Sequence, residues 1–260
     1  MPGADLALLL DAARAAGDVV LSFAGPNAQR WDKPGGAGPV TEADLAANAC
    51  LREHLRPARP DYGWLSEEDA DDSDRLERDR VFVIDPIDGT RSFIEGSRTW
   101  AISIAVVEDG QPVAGVVALP ARGLVFAAER DGGAFLNEAP LTPSDRTALH
   151  GADMLIPKPA LKADYWPGGV PDVTRHHRPS LAYRLCLAAS GRFDAMLTLR
   201  DAWEWDIAAG SLIAQEAGCV VTDRDGARLA FNVAHAKTPG VLVANADLHG
   251  QLAARLTTTP

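Results

Sequence analysis

From Leu6 to Phe23 apolar and small residues recur at helical spacing, and Gly25-Pro26 supplies a stop, which predicts a first helix ending there. The run WDKPGGAGP follows, with Gly35, Gly36 and Gly38 set between prolines, a composition that disfavours regular structure. Residues 31–39 are therefore expected to be a mobile loop, either a surface connector or a functional lid. Thr41 reads as the N-cap of a second helix reaching about Arg56, because Thr-Glu-Ala-Asp puts acidic groups in the first turn; Pro57 and Pro60 close it.

Strand patterns then take over. Gly63-Trp64-Leu65-Ser66 reads as a short strand, the acidic stretch after it as solvated chain, and VFVID as a buried strand ending in a carboxylate. WAISIAVVEDGQPVAGVVAL is a hairpin joined at Glu108-Asp109-Gly110-Gln111, and Leu124 to Ala128 extends the same antiparallel sheet. The Pro-, Thr- and Ser-rich stretch from Asn137 to Gly151 is the expected boundary between an N-terminal α+β subdomain (1–140) and a C-terminal α/β subdomain (141–260). In the second, helices are predicted near Leu181–Ser190 and from Asp206 to Ala217, where Gly218 terminates the helix.

Composition narrows the function classes. With 260 residues and 47% hydrophobic content, the chain can form one large domain or two intimately packed ones. A net charge of −11 without any block of consecutive Lys or Arg argues against binding a nucleic acid polymer, yet leaves room for a small anionic substrate if bound cations invert the local charge. Cys50, Cys186 and Cys219 lie far apart without CxxC spacing, so neither a zinc site nor a disulfide framework is indicated and a reducing cytoplasm is expected. The start has no basic n-region, and no run approaches the ~20 apolar residues of a membrane helix.

The chemistry concentrates in Asp85-Pro86-Ile87-Asp88-Gly89-Thr90, directly after VFVI. Two carboxylates three apart across a proline-fixed turn can converge, with the Ile87 carbonyl between them, into a hard-cation site. Gly89 and Thr90 would then open a helix whose free N–H groups favour a phosphate. Taken alone, such a run is more often a capped turn. Three further segments add carboxylates: Leu65-Ser66-Glu67-Glu68-Asp69, Trp205-Asp206-Ile207-Ala208-Ala209-Gly210, and Val40-Thr41-Glu42-Ala43-Asp44.

In this order the four segments resemble the inositol monophosphatase family, part of the lithium-sensitive, magnesium-dependent phosphatase superfamily that includes 3'(2'),5'-bisphosphate nucleotidases and fructose-1,6-bisphosphatases. The resemblance spans nearly the whole chain and implies an α/β fold, a layered αβαβα sandwich. It implies that Glu67, Asp85 and the Ile87 carbonyl hold one Mg²⁺ and that Asp85, Asp88 and Asp206 hold a second. A third, weaker ion would sit near Glu67. Asp44 would pair with Thr90 to orient or deprotonate the attacking water, Gly89 and Thr90 would contact phosphate oxygens, and Lys33 would reach in from the mobile loop. Glu68 would either touch a metal-bound water or face solvent. A homodimer is implied as well.

Substrate signals are mixed. Inositol phosphatases usually carry a Glu seven residues before the Asp that corresponds to Asp206, and here that position is Leu199. Leu-Ser-Glu-Glu, Asp-Gly-Thr-Arg-Ser-Phe and Trp-Glu-Trp-Asp resemble instead bacterial 3'(2'),5'-bisphosphate nucleotidases of the sulfate-assimilation type. That subfamily implies conversion of adenosine 3',5'-bisphosphate to AMP and phosphate. The alternatives are an inositol-1-monophosphatase, a broad sugar or histidinol phosphate phosphatase, and an interaction protein of the transcription machinery. Ser180 and Arg184 lie where relatives present substrate-binding groups; Arg184 could hold a second phosphate or form a structural ion pair. Trp203 and Trp205 could flank a base or belong to the core, and His176-His177 reads as plain surface.

Overall fold

The computed structural model describes residues 3–23, 25–36 and 38–256. Its first helix, α1 (Ala4–Leu21), turns Leu6, Leu9, Ala13, Ala16 and Val20 to one buried face, the spacing expected of an amphipathic helix. The glycine-rich run is flanked by a short ladder in which β1 (Arg30–Asp32) pairs antiparallel with β2 (Pro39–Thr41). Residue 37, inside the expected mobile loop, lies outside the described residues. Helix α2 (Glu42–Ala58) begins at a capping box, in which the Thr41 hydroxyl accepts from the Asp44 N–H and Asp44 accepts from the Thr41 N–H. It continues through Pro57, because a proline in the last turn removes one N–H bond while Arg59 N–H still closes on the Leu55 carbonyl.

A seven-stranded sheet follows in the order β3 (Gly63–Ser66), β4 (Arg80–Asp88), β5 (Ala101–Glu108), β6 (Gln111–Leu119), β7 (Leu124–Glu129), β8 (Gly133–Leu136), β9 (Ala139–Pro140), with the one-turn helix α3 (Thr90–Ile94) after β4. The two-residue periodicity of its strands sorts apolar residues to two faces. Phe82, Ile84, Ile102, Ile104 and Val106 pack against α1 and α2; Val81, Val83, Ala105, Val107 and Val117 face the opposite core.

Beyond this sheet come β10 (Ala152–Leu155), β11 (Val173–His176), α4 (Leu181–Ala189), β12 (Ala195–Thr198), β13 (Ala202–Trp203), α5 (Glu204–Glu216), β14 (Val220–Thr222), β15 (Lys237–Thr238), β16 (Val241–Ala244) and α6 (Ala246–Ala253). Five of these strands form a second sheet in the order β11-β10-β12-β16-β14, and β13 pairs with β15. Helices α4 and α5 lie between the sheets: Leu185, Ile207, Leu212 and Ile213 share one core with Val83 and Val117 on one side and with Met196 and Val243 on the other. Met154, Leu197 and Leu242 close the outer face of the second sheet with Leu248 and Leu252 of α6. The layers are thus α1/α2, sheet, α4/α5, sheet, α6, the αβαβα sandwich that the resemblance implied. Among the described residues no helix is long and apolar enough to cross a membrane.

Candidate metal centre

In a regular strand residues three apart point to opposite faces. Strand β4 does not stop at Asp85, as the sequence reading expected, but runs to Asp88 with a break in register: Asp85 pairs with Ser103 and Asp88 with Ala101. Three steps on β4 thus match two on β5, a bulge at Pro86-Ile87 that turns both carboxylates to one side. Asp85 Oδ1 accepts the Ile87 N–H at 2.9 Å. Gly89 follows at φ 100°, ψ 36°, a left-handed conformation that residues with a Cβ rarely adopt, and swings the chain into α3. Because α3 is a single turn, its contribution toward a phosphate comes from free N–H groups rather than from a long-helix dipole.

Asp206 arrives from the other half of the chain, in the first turn of α5. Its approach depends on small residues: a Cβ at Gly210 would stand 2.9 Å from Leu185 Cβ, so only glycine lets α5 lie this close to α4. The start of α4 is tied to β4 in turn, since Asp88 Oδ2 accepts the Ser180 hydroxyl at 2.7 Å and the Ala182 N–H at 2.6 Å. As a result one oxygen from each of Asp85, Asp88 and Asp206 lies within 4.8 Å of the others.

Such an arrangement is electrostatically unfavourable on its own. Burial pushes the Asp85 carboxyl well above the usual carboxylate range, and the charges of Glu67, Asp88 and Asp206 push it further. Withdrawal from water raises Asp206 likewise, helped by Asp88 and Glu67. Asp88 is raised by burial despite its bonds to Ser180 and Ala182 and the nearby Arg184. A divalent cation removes both penalties, and a donor set made only of carboxylate and carbonyl oxygens suits a hard ion such as Mg²⁺.

Glu67 leaves the end of β3, its N–H bonded to the Ile84 carbonyl at 3.1 Å, and its charge reaches Asp85, Asp206 and Asp44. Lys33, between β1 and β2, extends to it: Nζ lies 2.7 Å from Glu67 Oε1 and 2.8 Å from Glu68 Oε1. The solvent-facing reading of Glu68 is corrected, because only 4% of its side chain is exposed and burial drives its pKa to about 7 against the pull of Lys33. Fully buried Asp44 receives the Thr90 hydroxyl on Oδ1 at 3.1 Å, and the same hydroxyl lies 3.1 Å from the Ile87 carbonyl.

Around this centre the picture is uneven. Arg184 is 7% exposed, makes no ion pair among the described residues, and has its Nε buried without an acceptor, so the structural-ion-pair alternative finds no support. Ser180 serves as the N-cap of α4 and as a donor to Asp88. Leu199 is buried in the core beneath the second sheet, and only its carbonyl makes a polar contact, to Arg224. The Trp203 ring is 38% exposed, stacks on Trp205 at 4.6 Å, and has the Lys237 ammonium 3.9 Å from its centroid. His176 bonds Asp153 at 2.7 Å; His177 is exposed, in keeping with the surface reading, and partial desolvation with the charges of Arg184, Arg175 and Arg178 lowers its pKa.

One network had no signal in the sequence. Buried Arg75 bridges Asp71, the Asn232 side chain and the Val233 carbonyl, while the Glu204 carboxylate accepts the N–H groups of Asn232 and Val233 at 2.7 and 2.8 Å. It ties the segment after Glu67 to the first residue of α5, two before Asp206, through partners 157 and 158 residues apart.

Known proteins resemble the chain over most of its length. The model of the inositol monophosphatase family matches residues 5–259. An inositol-1-monophosphatase of Rhizobium meliloti is 38% identical over 202 residues, 74% of this chain and 74% of that protein. The 3'(2'),5'-bisphosphate nucleotidase CysQ of Salmonella typhimurium is 30% identical over 223 residues, 84% of this chain and 90% of the relative. Among solved structures, the extragenic suppressor protein suhB from Bartonella henselae superposes with a TM-score of 0.82 at 29% identity, covering 97% of this chain and 98% of that one.

Proposed function

Because the chain belongs to the inositol monophosphatase family and is a metal-dependent phosphatase, we propose that it is a 3'(2'),5'-bisphosphate nucleotidase, converting adenosine 3',5'-bisphosphate to AMP and phosphate. The observation that carries the phosphatase chemistry is the convergence of Asp85, Asp88 and Asp206 beside the Thr90–Asp44 pair.

In this reading Glu67, Asp85 and the Ile87 carbonyl would hold one Mg²⁺, Asp85, Asp88 and Asp206 would hold a second, and a third would sit near Glu67. When bound, the ions supply a nucleophile at neutral pH and shield charge on the attacking and leaving oxygens. Thr90 donates to Asp44, so hydroxyl and carboxylate together orient the attacking water and accept its proton. Burial raises the proton affinity of Asp44, which suits it to that task. Gly89 and Thr90 turn backbone N–H groups toward the phosphate. Lys33 donates to both Glu67 and Glu68, so it places a positive charge beside the carboxylate that would serve a cation.

The nucleotide assignment draws on the Leu-Ser-Glu-Glu and Trp-Glu-Trp-Asp segments, on Leu199 in place of an acid, and on Arg184. A second reading, an inositol-1-monophosphatase or a broad sugar or histidinol phosphate phosphatase, draws on the Rhizobium relative's name. We also read the protein as a cytoplasmic homodimer, in keeping with the free Cys50, Cys186 and Cys219. The test is phosphate release from bisphosphate nucleotides, inositol 1-phosphate, histidinol phosphate and sugar phosphates with Mg²⁺. A higher kcat/KM for inositol 1-phosphate than for the bisphosphate nucleotide would reject the nucleotidase assignment; full activity in excess chelator would reject the metal chemistry.

A further inference from the structure

The three carboxylates of the centre are not placed in the same way. Asp88 receives Ser180 and Ala182, and Asp85 receives the Ile87 N–H, whereas no N–H or hydroxyl of the scaffold holds the Asp206 side chain among the described residues. Its position is inherited from the first turn of α5. That turn begins after Trp203 without a side-chain cap, so its direction is set from outside the helix.

Glu204, the first residue of α5, makes the outside contacts. Its N–H bonds the Ala236 carbonyl at 2.9 Å, and its fully buried carboxylate accepts the Asn232 and Val233 N–H groups at 2.7 and 2.8 Å. Asn232 holds φ 56°, and two successive N–H groups beside a left-handed residue make a cradle for an anion. The other polar groups of this dipeptide belong to Arg75. Nη1 donates to Asn232 Oδ1 at 2.7 Å and Nη2 to the Val233 carbonyl at 3.0 Å, while the Arg75 carbonyl accepts Asn232 Nδ2 at 3.1 Å. Arg75 is itself held: Asp71 accepts its Nε and Nη2 at 2.6 and 2.9 Å. A Cβ at Gly63 of β3 would stand 3.1 Å from Arg75 Cβ, so the arginine lies against the strand that ends just before Glu67.

Stability alone is a poor reason for this arrangement. A buried ionic network returns little free energy over apolar packing of the same volume, and what it adds is a single geometry. Here that geometry runs from β3, which leads to Glu67, across to α5, which carries Asp206.

We propose that Glu204 and Arg75 are positioning residues of the metal centre: by clamping Asn232 and Val233 between them, they hold the first turn of α5 where Asp206 meets Asp85 and Asp88. The inference rests on the reading of those three aspartates as ligands of divalent cations and extends it to groups that touch neither ion nor substrate.

The test is calorimetric titration of the full chain with Mg²⁺ alone, beside urea unfolding. Glu204→Gln keeps the shape but loses the charge and turns an amide N–H toward backbone donors. It should weaken Mg²⁺ binding by about 10- to 100-fold, the range for groups that orient metal ligands. Arg75→Met should act in the same direction, and Arg75→Lys should recover part of the loss. Asn232→Gly suits the left-handed backbone, leaves both N–H groups for Glu204 and removes only the amide that joins Arg75. Its effect should be about three- to tenfold, the worth of one hydrogen bond. Asp5→Asn breaks a comparable network outside the carboxylate segments, in which Arg59 and Arg80 each reach Asp5 at 2.8 Å; it should lower the urea midpoint and leave Mg²⁺ affinity unchanged. Reduced stability with wild-type Mg²⁺ affinity in Glu204→Gln, or in Asn232→Gly where the first variant does not fold, makes the clamp a structural tie and overturns the inference while the phosphatase stands. Wild-type protein that neither binds Mg²⁺ nor releases phosphate with it overturns the metal reading as well.

Discussion

The acidic centre and Arg184 beside it are built on opposite principles. Two carboxylates of the centre, and Asp44 beside them, are held by the fold: Asp88 by Ser180 and Ala182, Asp85 by the Ile87 N–H, Asp44 by Thr41 and Thr90. Arg184 has no such tie among the described residues, and its Nε is buried without an acceptor. Groups that must hold a fixed geometry around an ion are locked by the fold, whereas groups that meet a variable substrate are left free to bond it. Charge tells the same story, for the centre gathers like charges whose repulsion a cation relieves, whereas Arg184 is a buried cation without a hydrogen-bond acceptor or ion pair among the described residues.

The sharpest way to break this contrast is at the centre. Asp88→Asn and Asp206→Asn are each expected to lower kcat by more than about 100-fold, since losing a ligand charge removes several kcal/mol of transition-state stabilisation. The two should differ in stability. Asp88 also anchors α4, so Asp88→Asn should cost about 1–3 kcal/mol, while Asp206→Asn, which relieves repulsion, should cost little. Phosphate release and urea unfolding measure both, and near wild-type turnover in either variant would remove it from the ligand set.

Next in size is Leu199→Glu, which restores the acid that inositol phosphatases carry. Here the side chain points into the core with Leu197 and Leu242, so the substitution should cost about 3–5 kcal/mol as an uncompensated buried charge and should not raise kcat/KM for inositol 1-phosphate. A gain in that activity would show that position 199 reaches the substrate after all.

Gly210→Val probes the distance between α4 and α5 on which Asp206 depends. Its Cβ would meet Leu185 Cβ at 2.9 Å and the Ala182 carbonyl at 3.3 Å, an overpacking worth about 1–3 kcal/mol. The Mg²⁺ concentration for half-maximal activity should rise with the loss of stability; an unchanged midpoint in both measurements would show that the helices separate without cost.

The smallest effect is expected for Trp203→Ala. Base stacking on an aromatic is worth about 1–3 kcal/mol, so a change of less than about threefold in kcat/KM for the bisphosphate nucleotide is the outcome if Trp205 and Lys237 already occupy the ring. A tenfold loss would make Trp203 a base platform.

Local pattern determined much of this protein. The helical period before Gly25, the Thr41 cap, the hairpin turning at Asp109-Gly110 and the small residues after Asp206 are short-range signals, each read from about twenty consecutive residues or fewer. Because the chemistry of the centre is written as local segments, its candidate residues were legible too, although the reason Asp85 and Asp88 converge was not. A proline-fixed turn was expected, and the device is a bulge whose register depends on the partner strand β5. The strands that flank the glycine-rich loop pair locally, but the reach of Lys33 to Glu67 and Glu68 depends on groups more than thirty residues away. Likewise the burial of Glu68, the inward turn of Leu199, the pairing of Arg75 with Asn232 and the isolation of Arg184 belong to tertiary structure alone. Sequence fixes which groups are available and how they are spaced along the chain; whether a charge faces water, an ion or another charge is decided by elements that meet only after folding.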